Sequence, residues 1–359
     1  MKKIQDIRIR EIEPLTTPKA MEDVSPVSEE ESEKISSFRA QVNAIIKGED
    51  SRLLAIIGPC SIHDTKAALD YAARLKKLAD SVSDVFFVVM RTYFEKPRTA
   101  LGWKGLITDP DMDESCDIEK GLRIARKLLI DITDIGLPVG CEVLDPIVPQ
   151  YTDELMSWSS IGARTTESQT HRSLASGLSV AVGFKNSTSG DLTAAVNAAK
   201  AASRPASFIG VSRDGRLAVF RSSGNEVTHL ILRGGDQGPN YYEDDVEEAA
   251  KMMEKTGLTP AVIIDCSHQN SRKDWTRQKR VLRAVIDQVR WGDSWIRGFM
   301  LESNINEGSQ KIPQDLRELK YGVSVTDGCI GWEETERIVM NAASLVRDAR
   351  TQGGKVEIL

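Results

Sequence analysis

Eight short apolar runs, each followed by a longer stretch of helical spacing, set the narrowest limit on what this chain can fold into. The runs lie near residues 53–58, 85–91, 137–143, 159–163, 180–185, 206–211, 260–265 and 297–302. Continuous apolar strands of this length belong in parallel sheets covered on both faces, and strand–helix alternation builds βα units. The helical pattern is clearest at Thr65 to Ala79, where Ala68, Tyr71, Ala72, Leu75 and Leu78 mark one face behind a capping Asp64. A second runs from Ile118 to Ile135, with Leu122, Leu128, Leu129 and Ile132 inward and Gly136 and Pro138 beyond its end. The last, from about Trp332 to Ala349, follows its strand only after a long connection. Eight units in 359 residues predict an α/β protein with a closed (β/α)8 TIM barrel; a doubly wound open sheet is the alternative.

Two segments fall outside the repeat. Between the predicted sixth strand and its helix, Leu217–Phe220 and His229–Leu232 flank Ser222-Ser223-Gly224-Asn225, which predicts an inserted β-hairpin over about residues 213–238. Residues 1–48 form an arm ahead of the barrel at 49–359. Pro14, Pro18 and Pro26 interrupt it, and an acidic run precedes a helix predicted over Glu33 to Ile46. An arm of this kind is either a loose tail or a segment that packs on a neighbouring subunit.

The net charge of −6 supplies no bulk attraction for nucleic acid or acidic lipid, so an anionic ligand must be held by individually placed cations. The apolar runs are far shorter than the roughly 20 residues of a membrane span. Met1-Lys2-Lys3 leads into charged residues rather than a signal sequence, so a cytoplasmic protein is expected, with neither nucleic-acid nor membrane partners. Five scattered cysteines suit free thiols or a metal ligand better than a disulfide framework.

In a barrel the C-terminal strand ends converge on one mouth, so reactive residues at those ends are the candidates. Cys60 follows the first strand, Arg91 and Lys96-Pro97-Arg98-Thr99 the second, Glu142 ends the third, and Arg164 follows the fourth. Lys185 ends the fifth, Arg233 closes the predicted hairpin, Asp265 and His268 follow the seventh, Glu302 ends the eighth, and Asp327 lies in the connection beyond. Cys60, His268, Glu302 and Asp327 offer a thiolate, an imidazole and two carboxylates, a set suited to one divalent ion such as Mn, Fe, Co or Zn. Arg91, Lys96, Arg98, Arg164, Lys185 and Arg233 bring six cations to one rim, which implies strongly anionic substrates. Taken singly, each has a plainer reading: a small buried thiol, a hydrogen-bonded structural histidine, solvated basic loops.

The stretches IIGPCSIHD, RTYFEKPRTALGWKGL, IGARTTESQTHR, VGFKNSTSGD, HLILRGG, IDCSHQNS and SVTDGCIGWEET together closely resemble the type I alpha subfamily of 3-deoxy-D-arabino-heptulosonate 7-phosphate (DAHP) synthases, over about residues 5–348. That resemblance implies a shikimate-pathway transferase joining phosphoenolpyruvate to erythrose 4-phosphate. It implies Cys60, His268, Glu302 and Asp327 as metal ligands, and Lys96, Pro97, Arg98 and Thr99 as the aldose-phosphate motif. Arg91, Glu142, Ala163, Arg164, Lys185 and Arg233 match positions around phosphoenolpyruvate, with Asp265 beside them; Lys96 is the expected proton donor and Glu142 the residue acting on water. The chain departs from the subfamily at Ala100-Leu101 and at Ser187-Thr188-Ser189-Gly190, beside the motifs rather than in them. Cys141 and Cys266 are expected to be packing variants.

The resemblance further implies a homodimer or homotetramer and feedback inhibition by an aromatic amino acid. Pro149, Gln150 and Ser179 match the lining of the effector pocket, and Gly210 stands where tyrosine-sensitive relatives carry Gly and phenylalanine-sensitive ones Ser, which favours tyrosine. Rival readings are a sister synthase using arabinose 5-phosphate, whose aldose motif differs from KPRT, and a metabolite-binding regulator that has lost turnover.

Overall fold

In the computed structural model, which describes residues 4–98 and 101–351, the chain opens with two helices, α1 (Pro18–Val24) and α2 (Glu29–Lys47). The helix predicted from Glu33 starts four residues earlier. Ser28 and Glu31 form a reciprocal capping box there, the side chain of each accepting from the other's backbone N–H, so the acidic run is the first turn rather than a lead-in. Gly48 ends the helix in a left-handed conformation at φ 80°.

The units that follow are β1 (Leu53–Gly58), α3 (Thr65–Ser81), β2 (Phe86–Arg91), α4 (Ile118–Ile135), β3 (Val139–Val143), α5 (Pro149–Thr152), β4 (Trp158–Ile161) and α6 (Gln169–Ala175). After them come β5 (Ala181–Lys185), α7 (Thr193–Ala202), the pair β6 (Ser207–Val211) and β7 (Leu217–Arg221), β8 (Thr228–Leu232) and α8 (Glu243–Lys255). β9 (Val262–Asp265), α9 (Gln278–Arg290), β10 (Ile296–Glu302) and α10 (Trp332–Thr351) complete the chain. Asp64 caps α3 by accepting from the N–H groups of Lys66 and Ala67, and Gly136 closes α4 at φ 93°.

Eight parallel strands close into a barrel in the order β1, β2, β3, β4, β5, β8, β9, β10, with β10 pairing back to β1. The predicted sixth strand needs correction. Residues 207–211 pair antiparallel with 217–221 to make a two-stranded sheet apart from the barrel, and the sixth barrel strand is Thr228–Leu232. The hairpin therefore spans Ser207 to Arg221 and precedes that strand, instead of following it over 213–238. Burial is the physical reason. β8 is buried at every residue, as a barrel strand covered on both sides must be, whereas β6 and β7 alternate and leave Ile209 78% exposed.

One core fills the barrel interior and another lies between strands and helices. Leu54, Ile56, Val89, Trp158, Ile231, Ile263 and Met300 share the inner cluster with Val42, Ile45 and Ile46 of α2. The second half of the arm thus closes the barrel beneath its strands, and its apolar face is part of the core. Gly298 on β10 is required by its neighbour: a Cβ there would meet the Leu54 carbonyl oxygen at 2.3 Å.

Candidate active site

The C-terminal strand ends open into a cavity of about 530 Å³ whose lining includes Arg91, Lys96, Pro97, Arg98, Glu142, Ala163, Arg164, Lys185, Arg233, His268 and Asp327. Cys60, Asp265 and Glu302 lie buried among them. All the predicted catalytic, substrate and metal residues within the described chain are thereby brought to one mouth; Thr99 lies outside the described residues. Lys273, Tyr93 and Gln269 also line the cavity and were not predicted. Lys273 follows His268 by five residues in a loop where both hold positive φ, at 59° and 54°. Nothing local in the sequence marks Lys273, Tyr93 and Gln269; they come to the mouth by the folding of the loops after β2 and β9.

Charges at this mouth are paired before any substrate arrives. Lys185 Nζ donates to Glu142 Oε2 at 2.5 Å, and Arg91 Nη2 to Glu302 Oε1 at 3.1 Å. Arg91 is fully buried, with its guanidinium carbon 4.0 Å from the Tyr93 ring centroid, and Lys185 Nζ lies 5.3 Å from the same centroid. Burial works against the charge on Lys185, but Glu142 and Tyr93 outweigh it and hold the ammonium above its ordinary range. The Glu142 carboxyl meets the same opposition, and Lys185 with Lys96 holds it below. Both partners are therefore ionised around neutrality. Lys96 is likewise raised against burial by Cys60, Glu302 and Asp327.

The thiol and carboxylate donors converge. Ligand atoms of Cys60, Glu302 and Asp327 lie within 4.8 Å of one another, and His268 Nε2 stands 3.9 Å from Glu302 Oε1. His268 Nδ1 hydrogen-bonds with Ser267 Oγ at 2.7 Å and lies 2.9 Å from Asp265 Oδ2, contacts that leave Nε2 on the side of the cluster. Burial and Glu302 push the Cys60 thiol up to about 11, since the nearby Lys96 ammonium offsets only part of their opposition to a thiolate. A divalent cation would favour the thiolate, and the mixed soft and hard donors fit a borderline ion.

A second cavity, of about 340 Å³, includes Pro149, Gln150 and Ser179 in its lining, together with Glu22 and Arg39 from the arm and Phe220 from the hairpin. Gly210 does not line it. A Cβ at Gly210 would instead meet the Phe220 ring at 2.9 Å, so this position reaches the cavity only through that ring.

The fold and mouth define a class: a (β/α)8-barrel protein whose strand ends present a cationic, metal-compatible site. The chain belongs to the DAHP synthetase I family, whose model matches residues 25–340, and it is an enzyme of that family. It is 51% identical over 336 residues to the Tyr-sensitive phospho-2-dehydro-3-deoxyheptonate aldolase of Escherichia coli K12, covering 94% of each chain. It is 49% identical over 345 residues to the Phe-sensitive enzyme of the same organism, covering 96% of this chain and 98% of that one. The structure of phospho-2-dehydro-3-deoxyheptonate aldolase from Francisella tularensis SCHU S4 superposes with a TM-score of 0.92 at 44% identity, over 94% of this chain and 98% of that one.

Proposed function

We propose that this enzyme condenses phosphoenolpyruvate with D-erythrose 4-phosphate and water to give DAHP and inorganic phosphate, the first step of the shikimate pathway. The observation that carries the proposal is the single mouth in which Lys96 and Arg98 share one cavity with Arg164, Lys185 and Arg233, beside the Cys60–Glu302–Asp327 cluster. Two multiply charged anions repel, and such a set of cations offsets that repulsion and holds both at reacting distance. Arg164, Lys185 and Arg233 bind phosphoenolpyruvate, while Arg98 and Thr99 bind the aldose phosphate. A carbon–carbon bond forms between C3 of phosphoenolpyruvate and the aldehyde carbon, and Lys96 delivers a proton to the aldehyde oxygen. Glu142 orients the water whose oxygen joins C2, from which phosphate departs. Cys60, His268, Glu302 and Asp327 would hold a divalent ion, which when bound supplies Lewis acidity toward the aldehyde.

The second cavity is the proposed effector site, and tyrosine the favoured inhibitor. Glu154 and Arg213, both lining it and paired with each other at 3.3 Å, supply a carboxylate and a guanidinium that an amino acid's ammonium and carboxylate would engage by opening that pair. A cytoplasmic homodimer or homotetramer is proposed. Among the described residues no helix is long and apolar enough to cross a membrane. Ile4, Ile7 and Ile12 of the arm and Ile209 and Leu217 of the hairpin are exposed apolar residues that a partner copy would cover.

The test is an initial-rate assay with both substrates after chelation and again with Mn²⁺ restored, alone and with each aromatic amino acid. Ion-restored consumption of phosphoenolpyruvate is expected, lowered by tyrosine. Absence of turnover with every divalent ion tried would sink the proposed reaction.

A further inference from the structure

Arg233 directly follows β8, on a stretch of backbone from Leu232 to Gly234 that three asparagine side chains grip. Asn186 Oδ1 accepts from the Arg233 N–H at 2.8 Å, and its Nδ2 donates to the Gly234 carbonyl at 2.9 Å. Asn270 Nδ2 donates to the Leu232 carbonyl at 3.0 Å and to that of Asp265 at 2.9 Å. Asn240 joins the two: its Oδ1 accepts from the Gly234 N–H at 2.6 Å, its Nδ2 donates to Asn186 Oδ1 at 3.1 Å, and its own N–H donates to Asn270 Oδ1 at 2.8 Å. The Arg233 carbonyl accepts from the N–H groups of Gln269 and Asn270. Asn186 uses both lone pairs and both amide protons, the full capacity of its side chain.

Asn186 and Asn270 are withdrawn from water at the ends of their strands, where an unmade hydrogen bond is costly, and the half-buried Asn240 bridges them. The members of this triangle come from the ends of β5 and β9 and from the connection after β8, which also carry Lys185, His268 and Arg233 respectively. Gly234 takes φ 73°, and a Cβ there would meet the Asn270 backbone nitrogen at 2.8 Å, so the chain turns sharply against the triangle. Arg233 itself is buried, yet among the described residues the acceptor its guanidinium meets is the neighbouring Gly234 carbonyl, at 3.2 Å. A long side chain with so little to anchor it depends on its backbone for direction.

We propose that Asn240, through Asn186 and Asn270, is a positioning residue that aims Arg233 at the phosphoenolpyruvate anion. The inference rests on the reaction proposed above. Asn240 does not line the cavity, so its action is through Arg233.

The experiment is calorimetric titration of the full-length protein with phosphoenolpyruvate, as wild type, Asn240→Ala, Arg233→Ala and the double variant, with KM for erythrose 4-phosphate measured alongside. Asn240→Ala removes two side-chain hydrogen bonds and is expected to weaken phosphoenolpyruvate binding about tenfold. It should leave KM for the aldose within about twofold and add nothing in the Arg233→Ala background, as expected of residues acting as a unit. An unchanged affinity, equal weakening toward both substrates, or a loss that persists without the Arg233 side chain would each overturn the proposal. A wild-type protein that binds no phosphoenolpyruvate at all would take down the proposed reaction, and this inference with it.

Discussion

Lys185 on β5 and Glu142 on β3 meet at 2.5 Å with both side chains nearly sealed from solvent. Their strands are not neighbours, since β4 lies between them, and inward side chains from alternate strands share a layer in a barrel of this kind. Taking either charge away deprives the other, still buried, of its direct ion-pair partner. Lys185→Met should lower unfolding stability by about 3–5 kcal/mol in urea titrations, and adding Glu142→Gln should recover most of that loss. A double variant no more stable than Lys185→Met would show that the pair contributes little.

Cys60 is fully buried beside Asp327, with its Sγ 3.8 Å from Asp327 Oδ2. Cys60→Ala should abolish Mn²⁺-restored turnover and weaken Mn²⁺ binding in calorimetry by at least about 10–100-fold, the scale of loss already seen when outer partners of a ligand are changed. The melting temperature should move by only about 2–4 °C, as for loss of a small buried group in a domain of this size. Full activity at controlled ion concentration would remove Cys60 from the ligand set.

At the second cavity, Gly210→Ser pushes a Cβ against the Phe220 ring, which is stacked on Phe208 with centroids 5.6 Å apart. The ring has to shift, and the cavity with it. Tyrosine inhibition should weaken about tenfold or more, on the scale of one misplaced methylene in an apolar pocket, while uninhibited kcat stays near wild type. An enzyme inhibited by phenylalanine and indifferent to tyrosine would refute the tyrosine reading outright.

Glu95 precedes the Lys96–Arg98 segment, and burial together with Asp145 and Glu142 pushes its carboxyl up to about 8. An acid whose folded value lies above its ordinary 4.5 binds more protons in the native state, so stability falls as pH rises from about 4.5 to about 8. Glu95→Gln should flatten that part of the stability-versus-pH curve. An unaltered slope between pH 5 and 8 would mean that Glu95 is not the group responsible.

The strand–helix rhythm, the helix caps at Asp64 and Gly136, and the reactive residues at strand ends were all legible in the residues, because each rests on local pattern: continuous apolar runs, side-chain caps, and residues next in chain to a strand. The sixth strand was not. Residues 207–211 and 228–232 are both short apolar runs, and only their placement decides that one pairs with 217–221 in solvent while the other completes the barrel. The arm followed the same rule: Val42, Ile45 and Ile46 mark an apolar face, but that the face plugs the barrel is a fact of packing. Lys273 and the asparagine triangle also escaped local reading, since an amide or a loop lysine carries no pattern of its own. The sequence by itself thus determined which segments become strands and helices and which chemical groups end them. The tertiary structure decided which strands pair and how buried charges are partnered, because those choices depend on residues far apart in the chain competing for the same space and the same hydrogen bonds.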